Sequence, residues 1–416
     1  MTTINGTIDA AREHSAEGDC EGSMEASREP CGYLPPPHTQ ARLALADGSV
    51  FTGRAFGAVE PSRTVEAEVV FNTALSGYQE SLTDPSYAGQ ILVQTAPMIG
   101  NTGVNAEDVE SGKVQVSGFV VHELTRRASN FRSTGELSAY LAEHGVLGIA
   151  GVDTRALTRR IRSAGAVPGV LTSSTNLSDA DLVAKARSTP SMEGRELVSG
   201  VARREACDWD HPLGAWRPAA TGTVPAGARP LQVIAIDCGA KNNILRHLVE
   251  RGCSVKLVPF STPANELMAY FAPDAEGGPA DGLFISNGPG DPSTVTATIS
   301  ALREVILAPE TRPATFGICL GHQLLAQAIG ASTFKLPFGH RGTNQPVRHD
   351  ETGRVSITSQ NHGFAVDRAS VEAAGGEITH THLNDGTVAG FRLKNRPAGR
   401  PVFSVQYHPE ASVQVR

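Results

Sequence analysis

The sequence of 416 residues is short of cysteine and has no long apolar run. Its six cysteines, at positions 20, 31, 207, 238, 253 and 319, include no pair at the C-x-x-C spacing of zinc and redox sites. Six are too few for a disulfide scaffold in so long a chain, so we expect a reducing compartment, the cytoplasm. No run of about 18 apolar residues could cross a membrane, and the amino terminus lacks the apolar core of a signal peptide.

Basic patches and nucleotide-binding motifs are also missing. The net charge is −7, and residues 1–40, with seven acidic and two basic residues, account for −5 of it. The remainder is close to neutral and shows no basic stripe, which argues against nucleic-acid binding. The G-x-x-x-x-G-K, G-x-G-x-x-G and H-E-x-x-H motifs are absent, so the sequence gives no sign of a phosphate loop, a dinucleotide site or a zinc-protease helix.

Composition and hydrophobic periodicity divide the chain into four segments. Residues 1–40 are polar and acidic and end in a Pro-rich stretch, which predicts a disordered tail. Residues 41–205 mix strand and helix patterns and predict a mixed α/β amino-terminal domain. Residues 206–230 are rich in Pro, Gly and Ala and predict a linker. Residues 231–416 alternate apolar strands with amphipathic helices, which predicts an α/β fold with a doubly wound, mostly parallel sheet.

Turn and cap signals support the assignments in the first domain. Asp47 and Gly48 lie between two strand-like runs and predict a hairpin. The stretch "DTRALTRRIRSAG" predicts a short amphipathic helix, with Asp153 as its N-cap and Gly165 just past its end.

Cys319 lies in "TFGICLGHQLLAQ", residues 315–327, where a predicted strand passes into a predicted helix. Gly317 and Gly321 allow close approach of neighbouring backbone, as in a nucleophile elbow. A thiol at a helix N-terminus experiences the positive end of the helix dipole, which favours the reactive thiolate. The amide of Leu320 is free to donate to an oxyanion. A buried, inert cysteine is the alternative interpretation.

A nucleophilic cysteine needs a base and a group that orients the base. The stretch "FSVQYHPEAS", residues 403–412, predicts a strand that ends just before His408, and Glu410 follows across a stiff Pro. The order Cys, His, Glu is therefore available at strand ends. A surface histidine in an ordinary turn is the alternative.

Two further stretches could line a binding site. In "SNGPGDP", Gly288 and Gly290 follow a predicted strand and expose backbone amides to an anion or a carbonyl oxygen. In "SQNHGFAV", Asn361 and Gly363 predict a turn, in which Asn361 binds a ligand or satisfies local backbone. Taken alone, the first stretch favours an ordinary Gly/Pro loop.

The joint order of these motifs resembles that of a known family. Residues 231–413 resemble class I (triad-type) glutamine amidotransferase domains, chiefly through "FGICLGHQLLA" and "FSVQYHPEAS". Residues 41–200 resemble the amino-terminal domain of carbamoyl-phosphate synthetase small subunits, through "VVFNTALSGYQESLTDPSYAGQIL" and "GVDTRALTRRIRSAGA". The stretches "GAKNNILRHLVERGC" and "KLPFGHRGTNQPV" follow the same family, so the resemblance covers residues 42–412.

The resemblance implies roles for individual residues. It implies Cys319 as the nucleophile, His408 as the base and Glu410 as the third member of a triad, with no metal in the site. It also implies that glutamine is held by Ser86, Gly288, Gly290, Leu320, Gln323, Asn361, Gly363 and Phe364. Ser86, in "DPSY", is reached through the resemblance alone.

The resemblance further implies a heterodimer. A large subunit would use ATP, Mg²⁺, bicarbonate and the ammonia from glutamine to make carbamoyl phosphate for arginine and pyrimidine synthesis, and this chain would hold no cofactor. The family continues after "HPEAS" with a closing helix, whereas this sequence ends at "VQVR", so we expect that helix to be missing.

Three alternatives stay open at this point. The chain could be the amidotransferase subunit of another pathway, although the amino-terminal motifs argue against it. It could be a γ-glutamyl hydrolase that acts without a partner. It could also be a non-catalytic scaffold for the large subunit.

Overall fold

The structure is a computed structural model that describes residues 39–214, 229–308, 313–397 and 399–411. The predicted acidic tail lies almost wholly outside the described residues, and so does the expected loss of a closing helix after residue 411. Within the described ranges, no helix combines the length and apolarity needed to cross a membrane.

The first part of the chain forms a closed barrel of seven strands in the order β1-β2-β8-β6-β4-β3-β9. Alternate residues of neighbouring strands form two buried clusters, one joined by α3 and the other lying under α1 and α2. Its elements are β1 (Gln40–Leu45), β2 (Val50–Gly57), β3 (Thr64–Asn72), α1 (Tyr78–Thr83), β4 (Gln90–Gln94), β5 (Met98–Ile99), β6 (Gly118–Val121), β7 (Glu123–Leu124), α2 (Leu137–Glu143), β8 (Leu147–Ala150), α3 (Thr154–Ala164), β9 (Val167–Thr172), α4 (Asp179–Ser188) and β10 (Cys207–Trp209).

The second part forms a ten-stranded sheet in the order β10-β12-β11-β13-β14-β19-β18-β17-β15-β16. Helices α6, α7 and α8 share one buried cluster with its strands, and α5 shares another. Its elements are β11 (Leu231–Asp237), α5 (Asn242–Glu250), β12 (Cys253–Pro259), α6 (Ala264–Ala269), β13 (Gly282–Ile285), α7 (Thr296–Leu307), β14 (Ala314–Ile318), α8 (Leu320–Ala328), β15 (Thr333–His349), β16 (Val355–Val366), α9 (Arg368–Ala373), β17 (Gly376–His382), β18 (Val388–Leu393) and β19 (Val402–Val405).

The prediction of a mostly parallel sheet is wrong. Strands β12, β11, β13, β14 and β19 pair in parallel. The other described pairings, β10–β12, β19–β18, β18–β17, β17–β15 and β15–β16, are antiparallel. Strand–helix alternation stops after α8, and the chain then folds back in long hairpins, so the sheet is mixed.

Two smaller predictions also need correction. The predicted turn at Asn361 and Gly363 is instead part of strand β16, which pairs with β15 over most of its length. The predicted linker 206–230 begins with a strand, because Trp209 packs half-buried against the cluster beneath α5 and β10 pairs with β12. Residues 215–228 of that linker lie outside the described part of the chain.

The predicted hairpin and helix of the first domain are confirmed. β1 and β2 pair antiparallel around Asp47 and Gly48. The carboxylate of Asp153 accepts a hydrogen bond from the Ala156 amide and caps α3, and Gly165 ends that helix with a φ of 93°. The carbonyl of Pro337, in β15, accepts from Ala166 N at 2.6 Å, so this turn joins the barrel to the second sheet.

The cap gives a first prediction. Asp153→Ala removes the acceptor for a helix amide, and we expect a loss of about 1 kcal/mol in the free energy of unfolding, measured by urea denaturation. Asp153→Asn keeps an oxygen at the same place and serves as the control. Equal unfolding midpoints for the two variants would show that the cap contributes nothing.

Candidate active site

Cys319 lies at a sharp turn between β14 and α8, as the spacing of glycines predicts. Its backbone φ is 54° and its ψ is −104°, a sparsely populated combination that costs a non-glycine residue about 1–3 kcal/mol. The turn is held because the Cys319 amide donates to the Val405 carbonyl at 2.9 Å. The thiol is 2 % exposed, and its Sγ lies 3.5 Å from the main-chain oxygen of Asn361.

The two flanking glycines are required by close packing. A Cβ at Gly317 would lie 2.7 Å from the main chain of Gly321, and a Cβ at Gly321 would overlap the Ile285 carbonyl oxygen. The start of α8 is therefore pressed against β13 and β14, which fixes the thiol at the end of the parallel strands.

His408 and Glu410 follow β19 and are both buried. The His408 amide donates to the Ser359 carbonyl at 2.8 Å, which positions the ring beside β16. His408 Nδ1 lies 2.8 Å from Glu410 Oε1, so the carboxylate fixes the tautomer. The other nitrogen, Nε2, makes no hydrogen bond of ordinary geometry to a described residue.

The protonated form of His408 is strongly favoured. Burial alone would lower the pKa of His408, but the charge of Glu410, assisted by Cys319, raises it to about 10. Burial alone would raise the pKa of Glu410, but Lys241 and His408 hold it well below its usual range. The site therefore contains an imidazolium and a carboxylate at neutral pH.

A buried lysine completes this charge arrangement. Lys241 Nζ lies 3.0 Å from Glu410 Oε1 and 3.6 Å from Oε1 of Glu110, a residue of the first domain. Burial would lower the pKa of Lys241, but Glu410 and Glu110 raise it above its usual range. Glu110 also accepts hydrogen bonds from the main chain and side chain of Asn243, at 3.0 and 2.9 Å.

A small cavity lies beside Cys319 and contains most of the residues that the resemblance assigns to glutamine. Leu320 is not in its lining; it is buried directly after Cys319, and its amide begins α8. The lining consists of Ser86, Gln90, Met192, Gly288, Pro289, Gly290, Cys319, Gln323, Arg341, Asn361, His362, Gly363 and Phe364.

His408 lines a neighbouring cavity on the other side of Asn361. Asn361 belongs to both linings, whereas Cys319 is found in the first and His408 in the second. Cys319 and His408 therefore lie on either side of the wall between the two cavities.

Ser86 reaches the site from the barrel domain. Its hydroxyl accepts a hydrogen bond from Asn287 Nδ2 at 3.0 Å, and its amide donates to Asp84 Oδ1 at 2.9 Å. The other oxygen of Asp84 accepts from Asn361 Nδ2 at 2.9 Å. These bonds connect the turn after α1 with the loop after β13 and with β16.

Gln323 is fixed from the opposite side. Its Nε2 donates to the Phe364 carbonyl at 2.8 Å and to Gln406 Oε1 at 3.0 Å.

Gly288 is packed so closely that a Cβ there would overlap the carbonyl oxygen of Cys238. Gly290 has a φ of 89°, which favours glycine.

Sequence reasoning missed three residues that connect the site, namely Lys241, Glu110 and Asp84. Lys241 and Asp84 lie inside the stretches "GAKNNILRHL" and "LTDPSYAG", so the resemblance marked their neighbourhoods. Glu110 gave no signal, because its role depends on contacts between segments 131 residues apart in the chain, from 110 to 241.

Comparison with known proteins agrees with the two-part architecture. Residues 43–171 match the family of the carbamoyl-phosphate synthase small chain, CPSase domain, and residues 234–416 match glutamine amidotransferase class-I. The carbamoyl phosphate synthase small chain of Syntrophotalea carbinolica is 49% identical over 373 residues, which are 90% of this chain and 93% of that protein. That of Synechocystis is 50% identical over 375 residues, 89% of this chain and 91% of that protein.

The chain belongs to the carbamoyl phosphate synthase small chain family. Among solved structures, a glutamine amidotransferase of Thermotoga maritima covers 44% of this chain and 78% of its own, at 18% identity and a TM-score of 0.31. Cys319 lies in the segment that matches glutamine amidotransferase class-I, and Ser86 lies in the segment that matches the CPSase domain.

The buried lysine gives a second prediction. Lys241→Met removes the buried cation from Glu110 and leaves Glu410 with His408 alone, and we expect a loss of about 3–5 kcal/mol in the free energy of unfolding at neutral pH, read from urea denaturation. The loss should shrink as the pH falls. Burial already raises the pKa of Glu110, so this carboxyl takes up a proton early and stops carrying buried charge.

Lys185→Met is the matched control, since Lys185 forms a half-exposed ion pair with Glu66 at 3.2 Å. We expect that change to cost less than about 1 kcal/mol. Indistinguishable effects of the two substitutions would contradict the structural role of Lys241.

Proposed function

We propose that this chain is the glutamine-hydrolysing subunit of carbamoyl-phosphate synthetase and that Cys319, His408 and Glu410 form its catalytic triad. The observation that carries the proposal is the thiol of Cys319 at a strained strand-to-helix turn, beside a histidine whose pKa Cys319 helps to raise and which a buried carboxylate orients. This is the arrangement that nucleophilic acyl chemistry requires.

The first step is attack by the Cys319 thiolate on the side-chain amide carbon of glutamine. A C–S bond forms, and the carbonyl oxygen becomes an oxyanion. The amides near Gly288 and Leu320 stabilise this oxyanion, since both lie at the end of a parallel strand beside the thiol. The imidazolium of His408, favoured by Glu410, is the counter-ion of the thiolate.

The second step releases ammonia and leaves a γ-glutamyl thioester. The imidazolium of His408 gives its proton to the leaving nitrogen as the C–N bond breaks. The ring is then neutral and takes a proton from water, which attacks the thioester and yields glutamate and the free thiol. Glu410 keeps the ring in one tautomer through both steps.

Glutamine is held by the side chains and main chain that line the cavity beside Cys319. Ser86 and the backbone at Gly288 and Gly290 form one wall, and Gln323 forms another. Asn361, Gly363 and Phe364 supply the β16 edge of the cavity. Each of these residues is assigned to glutamine because the family resemblance implies it and because it lines this one cavity.

Ammonia is passed to a partner, the large subunit of carbamoyl-phosphate synthetase. We propose that ATP and Mg²⁺ act in that subunit, which makes carbamoyl phosphate from bicarbonate for arginine and pyrimidine synthesis. This chain then works in a heterodimer in the cytoplasm.

The nucleophile is tested by Cys319→Ser. We expect glutaminase activity of the purified chain with its large subunit to fall by about 1,000-fold or more, because an alcohol is a far weaker nucleophile than a thiolate. Cys253→Ser, in strand β12, is the control and should keep activity. Equal residual activity in the two variants would remove Cys319 from the mechanism.

The third triad member is tested by Glu410→Gln. Losing the carboxylate lowers the pKa of His408, so its proton should leave well below the wild-type value of about 10. The histidine Cε1 signals in an NMR pH titration measure this shift. We also expect turnover to fall by about 100-fold or more while glutamine binding is kept.

An unchanged His408 titration in the Glu410→Gln variant would contradict the assigned role. A loss of glutamine binding with unchanged turnover would contradict it as well, because an orienting carboxylate acts on the reacting step.

A further inference from the structure

Arg341, in strand β15, is a buried cation that lines the cavity beside Cys319. The residue is 4 % exposed. Of the described residues in that lining, Arg341 alone carries a permanent charge, since burial holds the pKa of His362 well below its usual range. One wall of the proposed glutamine cavity is therefore positively charged.

One edge of the Arg341 guanidinium has no hydrogen-bond partner. Nη1 donates to the Phe338 carbonyl at 2.6 Å. Nε is buried without a partner, and no described residue accepts a hydrogen bond from Nη2. Nη2 faces Gly363 of the cavity lining, where an added Cβ would lie 3.3 Å away. Nε and Nη2 are adjacent donors of one fork, so the unused edge has the geometry that binds a carboxylate with two parallel bonds.

The protein supplies no carboxylate for this edge. Within the described ranges Arg341 forms no ion pair, and the acidic side chain whose charge acts on it most is Glu68. Both oxygens of Glu68 are engaged elsewhere, because Lys335 donates to Oε1 and Gln90 Nε2 donates to Oε2 at 3.2 Å. Burial lowers the pKa of Arg341, yet a guanidinium stays protonated in proteins. A buried cation without a counter-ion is costly, so the cavity favours an anionic ligand.

The same lining also contains an acceptor without a donor. Because Gln90 Nε2 faces the Glu68 carboxylate, Oε1 is the remaining atom of the amide, and it is buried with no partner among the described residues. The head group of an α-amino acid carries a carboxylate, which accepts, and an ammonium, which donates. The polar atoms left unpaired in the cavity are therefore complementary to such a head group.

We propose that the guanidinium of Arg341 binds the α-carboxylate of glutamine through Nε and Nη2 and thereby selects the free amino acid. A glutamine side chain inside a peptide has this carboxylate in a peptide bond and is rejected, because the buried cation then stays without a counter-ion. The inference rests on the proposed hydrolysis of glutamine at Cys319. Arg341 is a binding residue for the end of the substrate that does not react.

The test compares L-glutamine with L-glutaminamide, its α-amide, which keeps the side-chain amide and the ammonium but has no carboxylate. Binding is measured by calorimetry on the full chain carrying Cys319→Ser, in complex with its large subunit, so that no turnover occurs. We expect the α-amide to bind about 10- to 100-fold more weakly than glutamine, the range for hydrogen bonds between charged groups. Arg341→Gln, added to this chain, should weaken glutamine binding by a similar factor and leave binding of the α-amide unchanged.

Arg348→Gln is the matched control. Arg348 lies on the same strand, is half-exposed and forms an ion pair with Asp350 at 3.1 Å, so this change should leave the preference for glutamine as it was. Arg341→Lys keeps the charge but not the two-donor edge, and it should retain part of the preference. If Arg341→Gln does not fold, Arg341→Lys and the comparison of the two ligands on the unsubstituted site still test the proposal.

A second readout uses the enzyme with Cys319 in place. Arg341→Gln should raise KM for glutamine and keep kcat, and the pH profile for alkylation of Cys319 by iodoacetamide should not move. A fall in kcat together with an alkylation profile shifted to higher pH would overturn the proposal, since Arg341 would then serve the thiolate.

Two binding results would overturn the proposal as well. They are equal affinity of the unsubstituted site for glutamine and its α-amide, and an unchanged preference for glutamine in the Arg341→Gln chain. Failure of the proposed function looks different, because neither ligand would then bind even where Arg341 is present, and that result would overturn the glutamine site and this inference together.

Discussion

The ammonium of Lys241 is the interaction on which the arrangement of the site depends. It is buried between Glu410 and Glu110, and it stabilises the charge of Glu410 in a place where burial alone would neutralise a carboxyl. Because Glu410 stays ionised, it holds the proton on His408 and fixes the orientation of the ring. The reactivity proposed for Cys319 therefore depends on a cation that does not touch the thiol.

This cation also joins the two domains. Glu110 comes from the barrel domain, and Asp84 and Ser86, from the same domain, bond to Asn361 and Asn287 of the second sheet. The barrel therefore supplies part of the cavity wall and part of the charge balance around His408 and Glu410. A class I amidotransferase sheet alone would lack both contributions.

Much of the fold could be predicted from local pattern. Asp153 caps the start of α3 and Gly165 ends it, as the cap rules predict, and Cys319 lies at the predicted turn. These features could be predicted because they depend on neighbouring residues. The antiparallel half of the second sheet was missed, since its hairpins follow the last clear strand–helix alternation. The stretch "NHGF" predicts a turn at Asn361, because the pairing of β16 with β15 that makes it a strand cannot be seen in the local sequence.

The residues of the site also fall into two groups, those that a local pattern predicts and those whose roles depend on long-range contacts. Cys319, His408 and Glu410 stand in recognisable stretches at strand ends, whereas Glu110 depends on a long-range contact that no local pattern encodes. Ser86 was reached through family resemblance alone, because its partner Asn287 lies 201 residues away. Residues whose roles arise from contact between domains were the ones that sequence reasoning could not find.

The most direct measurement is to quench the enzyme with acid during turnover of glutamine and to map the covalent adduct by peptide mass spectrometry. A γ-glutamyl group bound to the sulfur of Cys319, which disappears on standing at neutral pH, is the result that the account predicts. Turnover with no adduct on the peptide that contains Cys319, or with the glutamyl group on another residue, would contradict it.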